Sequence, residues 1–86
     1  MSTRICISGP KLVEFRAQVR SLLGNPPSWM VPVCCMINIY LDEIPNDLTK
    51  DIYSPKYTNN NVTAQFDCTH YNYELIVELN DHPDII

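Results

Sequence analysis

Val31-Pro32-Val33-Cys34-Cys35-Met36-Ile37-Asn38-Ile39-Tyr40-Leu41 is the segment on which the fold turns. It is rich in apolar and β-branched residues, and it alternates. In an extended chain Val33, Cys35, Ile37, Ile39 and Leu41 share one face, and Cys34, Met36, Asn38 and Tyr40 share the other. Both faces are largely apolar, which predicts a central strand with part of its second side covered. Pro32 stands near the start, where a missing ladder donor is tolerated. The apolar run over residues 29–37 is nine residues long, far short of the roughly 20 that a membrane-spanning helix needs.

Upstream, residues 3–8 alternate, with Ile5 and Ile7 on one face and Arg4, Cys6 and Ser8 on the other. That predicts a short strand with one buried side. Ser8-Gly9-Pro10 ends it and opens a helix, with Pro10 at the first helical position and Ser8 or Gly9 as cap. Leu12, Phe15, Val19, Leu22 and Leu23 recur at helical steps and form one apolar stripe. Gly24 is expected in the left-handed conformation at the helix end, and Pro26-Pro27 forbids continuation.

Downstream, residues 42–60 are predicted to hold a short helical turn or an extra edge strand, since so long an unstructured loop is unusual. The last third predicts a hairpin. Val62, Ala64, Phe66 and Cys68 alternate with polar residues, as do Tyr73, Leu75, Val77 and Leu79, with Ile76 as the exception. The order is thus strand, helix, strand, short helix, strand, strand. It predicts an α+β two-layer sandwich, one amphipathic helix on a mixed or antiparallel sheet of about four strands. The helical crossover favours a parallel first pair. All 86 residues are expected in one domain, residues 1–86.

The chain carries a formal charge of −4, which excludes a generic basic nucleic-acid binder. No basic start followed by an apolar run leads the sequence, so a reducing, cytoplasmic setting is expected. Cys6, Cys34, Cys35 and Cys68 are then expected as reduced thiols, buried or half-buried. No spacing suits a structural zinc site, because adjacent Cys34 and Cys35 point to opposite faces of a strand. No metal and no cofactor is expected. Cys68 and His70 share a strand face and supply an alternative reading, a thiol- or metal-dependent site in which Cys35 is a further ligand. No acid–base set or phosphate loop accompanies them, so a non-enzymatic role is expected.

Charge is divided along the chain. In residues 1–24, Arg4, Lys11, Arg16 and Arg20 stand against Glu14, a net of +3; residues 25–86 carry a net of −7. Two binding surfaces follow. One is aromatic and acidic: Trp29, Tyr53 and Tyr57 in proline-flanked loops, with Asp42, Glu43, Asp47 and Asp51 as rim. The other is the outward stripe of Arg16 and Arg20. The first is favoured, on the weight of negative charge beyond the helix. The reading is a small acidic protein-interaction module, a stoichiometric inhibitor or regulator of a larger protein with a basic or mixed surface. Its size and acidity are those common among phage- and virus-encoded antagonists. No nucleic acid or membrane is expected as partner, and the oligomeric state is left open. The alternative is an accessory subunit that completes its assembly through an edge strand.

Overall fold

The structure, a computed structural model, describes residues 3–48 and 52–80. Four strands, β1 (Thr3–Gly9), β2 (Lys56–Asn59), β3 (Val62–Phe66) and β4 (Tyr73–Leu79), form one sheet in the order β1-β4-β3-β2. Every pairing is antiparallel. Two helices, α1 (Leu12–Gly24) and α2 (Val31–Glu43), pack on one face of it. The architecture is the expected α+β layering on a four-stranded sheet, with a second helix in place of a strand.

That helix is the principal correction. Residues 31–41 are not a central strand but most of α2, which follows a single 3-10 turn over Ser28–Met30. The buried side chains explain why. Met30, Val33, Ile37, Leu41 and Ile44 are all within 3% of full burial. Their steps of three, four, four and three are a helical stripe that no strand reproduces. Pro32 fits, because the first turn of a helix has amide groups without intrahelical acceptors. With residues 31–41 helical, the expected parallel pair does not exist. β1 pairs instead with β4, from Thr3↔Leu79 to Gly9↔Tyr73 without interruption.

The first helix carries its predicted stripe, with Phe15 and Val19 buried and Leu12, Leu22 and Leu23 packed against the core. Its ends differ from expectation. It starts at Leu12, so Pro10 lies outside it, and Lys11 caps without a side-chain bond. No described glycine has a positive φ. Gly24 is helical, and the Asn25 amide closes the end by donating to Leu22 O at 3.2 Å.

The predicted hairpin is β3–β4, with Val62, Ala64, Phe66, Cys68, Tyr73, Leu75 and Val77 buried beneath the helices. The expected extra edge strand within residues 42–60 is β2, joined to β3 through Asn60-Asn61. Asn60 takes φ 55° there, a left-handed conformation that asparagine tolerates. The expected helical turn reaches into residues 49–51, outside the described residues.

Candidate protein-binding face

The two helices run antiparallel, and their polar contacts join the two surfaces that the sequence set in competition. Arg20 Nη1 donates to Asn38 Oδ1 at 3.0 Å, and Arg20 Nη2 pairs with the Asp42 carboxylate. One turn earlier on α1, Arg16 Nη2 donates to Ile44 O at 2.8 Å and Nη1 to Asn46 Oδ1 at 3.3 Å. The last turn of α2 holds no basic residue of its own. The carbonyl of Ile44, just past the end of α2, and the Asp42 carboxylate in its last turn are met by guanidinium groups from the neighbouring helix, at the negative end of the helix dipole. Arg16 Nε is buried without a hydrogen-bond partner among the described residues, so the side chain is committed inward. Arg16 and Arg20 are therefore the staple between α1 and α2, not a free basic stripe.

The other predicted residues fall in three places. Asp42, Glu43 and Tyr53 converge at the C-terminal end of α2. The Tyr53 hydroxyl lies 3.2 Å from Tyr40 O and 3.4 Å from Glu43 Oε2, either of which can accept its proton. Tyr53 is also tied by its backbone to Cys68, with N···O distances of 3.1 and 2.9 Å. Trp29 sits in the 3-10 turn at the other end of α2, half-buried against the core. A helix of this length separates the two ends by about 20 Å. Tyr57 lies on β2 with its ring packed on the core. Asp47 is exposed in the connecting loop, and Asp51 lies outside the described residues.

One feature of α2 escaped the sequence reading because it depends on the helix. Val31, Cys35 and Ile39 stand four residues apart and are exposed, Val31 at 58% and Ile39 at 43%. They draw an apolar line along the outer side of α2, ending on Asp42 and Glu43. Beside it an open groove of about 430 Å³ runs between the helices, lined by Arg20, Leu23, Gly24, Cys34, Cys35 and Asn38. The spacing 31, 35, 39 was available in the sequence, but a strand reading places all three on the same face as the core residues.

All four cysteines are free. Two depart from expectation: Cys6 and Cys35 are exposed, because Cys6 is on the uncovered face of the sheet and Cys35 on the outer side of α2. Cys34 is half-buried, its thiol 3.4 Å from Met30 O, and burial raises its pKa. Cys68 is fully buried, whereas His70 is exposed with its ring 4.2 Å from that of Tyr71. Among the described residues, no three His, Cys, Asp or Glu side chains are grouped to hold a metal ion. No described helix is long and apolar enough to cross a membrane.

Burial pushes the Cys68 thiol from 9.0 up to about 11, partly offset by the Glu74 backbone hydrogen bond. Burial, reinforced by Glu43, pushes the Tyr53 hydroxyl from 10.0 up to about 12. Both groups are neutral at pH 7 and hold their protons longer when folded than when unfolded. Their contribution to stability is complete below the unfolded pKa and is lost as pH rises through the folded one. The melting temperature should stay level from pH 7 to 9 and fall by several degrees above it. Cys68→Ala should flatten the part of the decline between about pH 9 and 11. A melting temperature unchanged through pH 11 contradicts the burial of both groups. Comparison of the chain with protein-family models, with curated proteins and with solved structures gives no match.

Proposed function

We propose that the chain is a non-catalytic protein-binding module, a stoichiometric inhibitor or regulator that seats an apolar, basic-flanked segment of a larger protein along α2. The observation that carries this reading is the exposed line of Val31, Cys35 and Ile39 beside the interhelical groove. Single exposed apolar residues are ordinary, but a contiguous row rimmed by charge is the usual form of a docking surface. A helix apolar on all sides belongs in a core. The sheet covers one side of α2 and α1 flanks it, but no described element covers the side that carries Val31, Cys35 and Ile39. An amphipathic helix of the partner, laid along the line, meets these residues at helical spacing.

Charge supports the sign of the partner. Glu43 and Asp42 close the C-terminal end of the line, and the chain is acidic. A basic residue at the matching end of the partner segment finds Glu43 directly and competes with Arg20 for Asp42. The carboxylates then set on-rate and partner sign, while the apolar line sets residence time. Tyr53 holds Glu43 in place, and Trp29 closes the far end of α2. This arrangement keeps the acidic–aromatic surface as the favoured one but moves its apolar centre to α2.

The test is capture from lysate of the cells in which the protein is made, comparing wild type with two variants. Cys35→Arg/Ile39→Glu should retain the wild-type fold and lose the captured protein by tenfold or more. Ile52→Ser, at a position 72% exposed and off the helix, should retain it. Glu43→Lys should weaken capture and flatten its salt dependence. A partner held equally by the stripe variant ends the proposal.

A further inference from the structure

We infer that the chain forms a twofold dimer in which β1 pairs antiparallel with β1 of a second copy, with the axis at Cys6. β1 is an edge strand, and no described element pairs with its outer side. The opposite edge is protected in the ordinary ways. β2 is four residues long, begins at Lys56 directly after Pro55, and lies against α2, where Asn59 Nδ2 donates to Pro32 O at 3.4 Å. β1 also lies against a helix, α1, but it is neither short nor opened by proline and lysine. It runs seven residues with no proline or lysine, and its register with β4 is unbroken.

The hydrogen-bond pattern decides which groups are available. The Asp67 amide donates to Glu74 O, and the Asn80 amide donates to Asn61 O, both at 2.8 Å. Even-numbered residues of β4 therefore bond toward β3, and Tyr73, Leu75, Val77 and Leu79 bond toward β1. Their partners there are Gly9, Ile7, Ile5 and Thr3. It follows that the amides and carbonyls of Arg4, Cys6 and Ser8 point out from the free edge. Pairing about Cys6 sets Cys6 against Cys6 of the second copy and Arg4 against Ser8, twice. All three are hydrogen-bonded positions, giving about six new backbone bonds.

The side chains agree with that register. Ile5 falls opposite Ile7 of the second copy on the core face, at the closer, non-hydrogen-bonded positions. Both are only half-buried at the edge in a single copy. On the other face, Arg4 has Glu78 beside it on β4 and makes no ion pair among the described residues. In the dimer it gains, across the short Ser8 of the second copy, that copy's Glu74, because Ser8 pairs with Glu74. Two acidic residues then flank each arginine. Moving the axis to Arg4 sets two arginines against each other and shortens the ladder. The full seven-residue overlap exists only with Cys6 at the centre. The α2 stripe lies over β2 and β3, at the far side of the sheet, so either proposal can fail while the other stands.

Sedimentation equilibrium of the full chain up to millimolar concentration reads the first consequence, a monomer–dimer equilibrium. Cys6 is exposed, so Cys6→Lys and Cys6→Glu should both fold. Each alone should raise the dimer Kd by about tenfold or more through like charge at the axis. Mixed together, they should restore the dimer. As a separate readout on the native edge, mild oxidation of a Cys35→Ser background should link Cys6 to Cys6. The expected Cα separation of about 5.5 Å lies within disulfide range. A chain that stays monomeric at millimolar concentration overturns the proposal. So does a dimer indifferent to charge at Cys6, or a crosslink that maps elsewhere.

Discussion

Phe15→Ala is expected to cost about 3–5 kcal/mol, the range for removing a fully buried aromatic ring. Phe15 is 0% exposed and stands where α1 meets the sheet. Its ring meets Phe66 edge-on, with centroids 6.1 Å apart, and Tyr73 at 6.0 Å. Such aromatic pairs add about 0.5–1.5 kcal/mol beyond their buried area, so the loss should fall toward the upper end. Against a total of ~5–15 kcal/mol the variant keeps little reserve. Its melting temperature should drop by about 12 °C or more, at roughly 4–8 °C per kcal/mol for a chain this size. Phe15→Leu, which refills most of the volume, should cost about 1 kcal/mol. A Phe15→Ala protein melting within a degree or two of the parent removes α1 from the sheet.

That helix was legible because two independent signals coincide in it. Leu12, Phe15, Val19, Leu22 and Leu23 repeat at helical steps, and proline brackets the segment on both sides. The hairpin was legible for the parallel reason, since Val62 to Phe66 and Tyr73 to Val77 alternate and turn residues stand between them. The register that closes the sheet was not legible. Nothing local in residues 3–8 says that they pair with β4, because the partner is set by where two helices place the chain.

The second helix was misread for a physical reason. Val33, Ile37 and Leu41 are four apart, a spacing that keeps one face in a helix and in a strand alike. The residues that decide between them are Met30 and Ile44, which extend the buried set by steps of three. What hid the helix was its outer side, because Val31, Cys35 and Ile39 remove the polar contrast that marks an amphipathic helix. The misreading and the proposed binding face have one cause, since an apolar side with no described element over it looks like core in a one-dimensional pattern. The candidate site was legible only in part for a related reason. Asp42 and Glu43 were identified from charge, but their proximity to Arg20 and Tyr53 spans many residues of chain and follows from helix packing alone.

The decisive contrast is between Ile37→Asp and Ile39→Asp. A strand sets both side chains on one face and predicts equal damage. The helix predicts opposite outcomes, because Ile37 is 1% exposed and Ile39 is 43% exposed. Ile37→Asp removes a buried aliphatic side chain and puts a carboxyl group among Met30, Val33 and Leu41, where no described polar group is buried with it. A loss of more than about 4–5 kcal/mol is expected, enough to leave much of the chain unfolded at 37 °C. Ile39→Asp exchanges a half-exposed apolar residue for a carboxylate in the second half of α2. It should cost no more than about 1 kcal/mol, from lower helix propensity and an unfavourable position on the dipole. Circular dichroism with thermal melts separates the two directly. If the proposed binding face is right, Ile39→Asp has a second signature: a folded protein with near-native melting and capture of the partner reduced by tenfold or more. Equal destabilisation by both substitutions would remove α2 and the binding line drawn along it. Near-native melting of Ile39→Asp with undiminished capture would leave the helix in place and remove only the line.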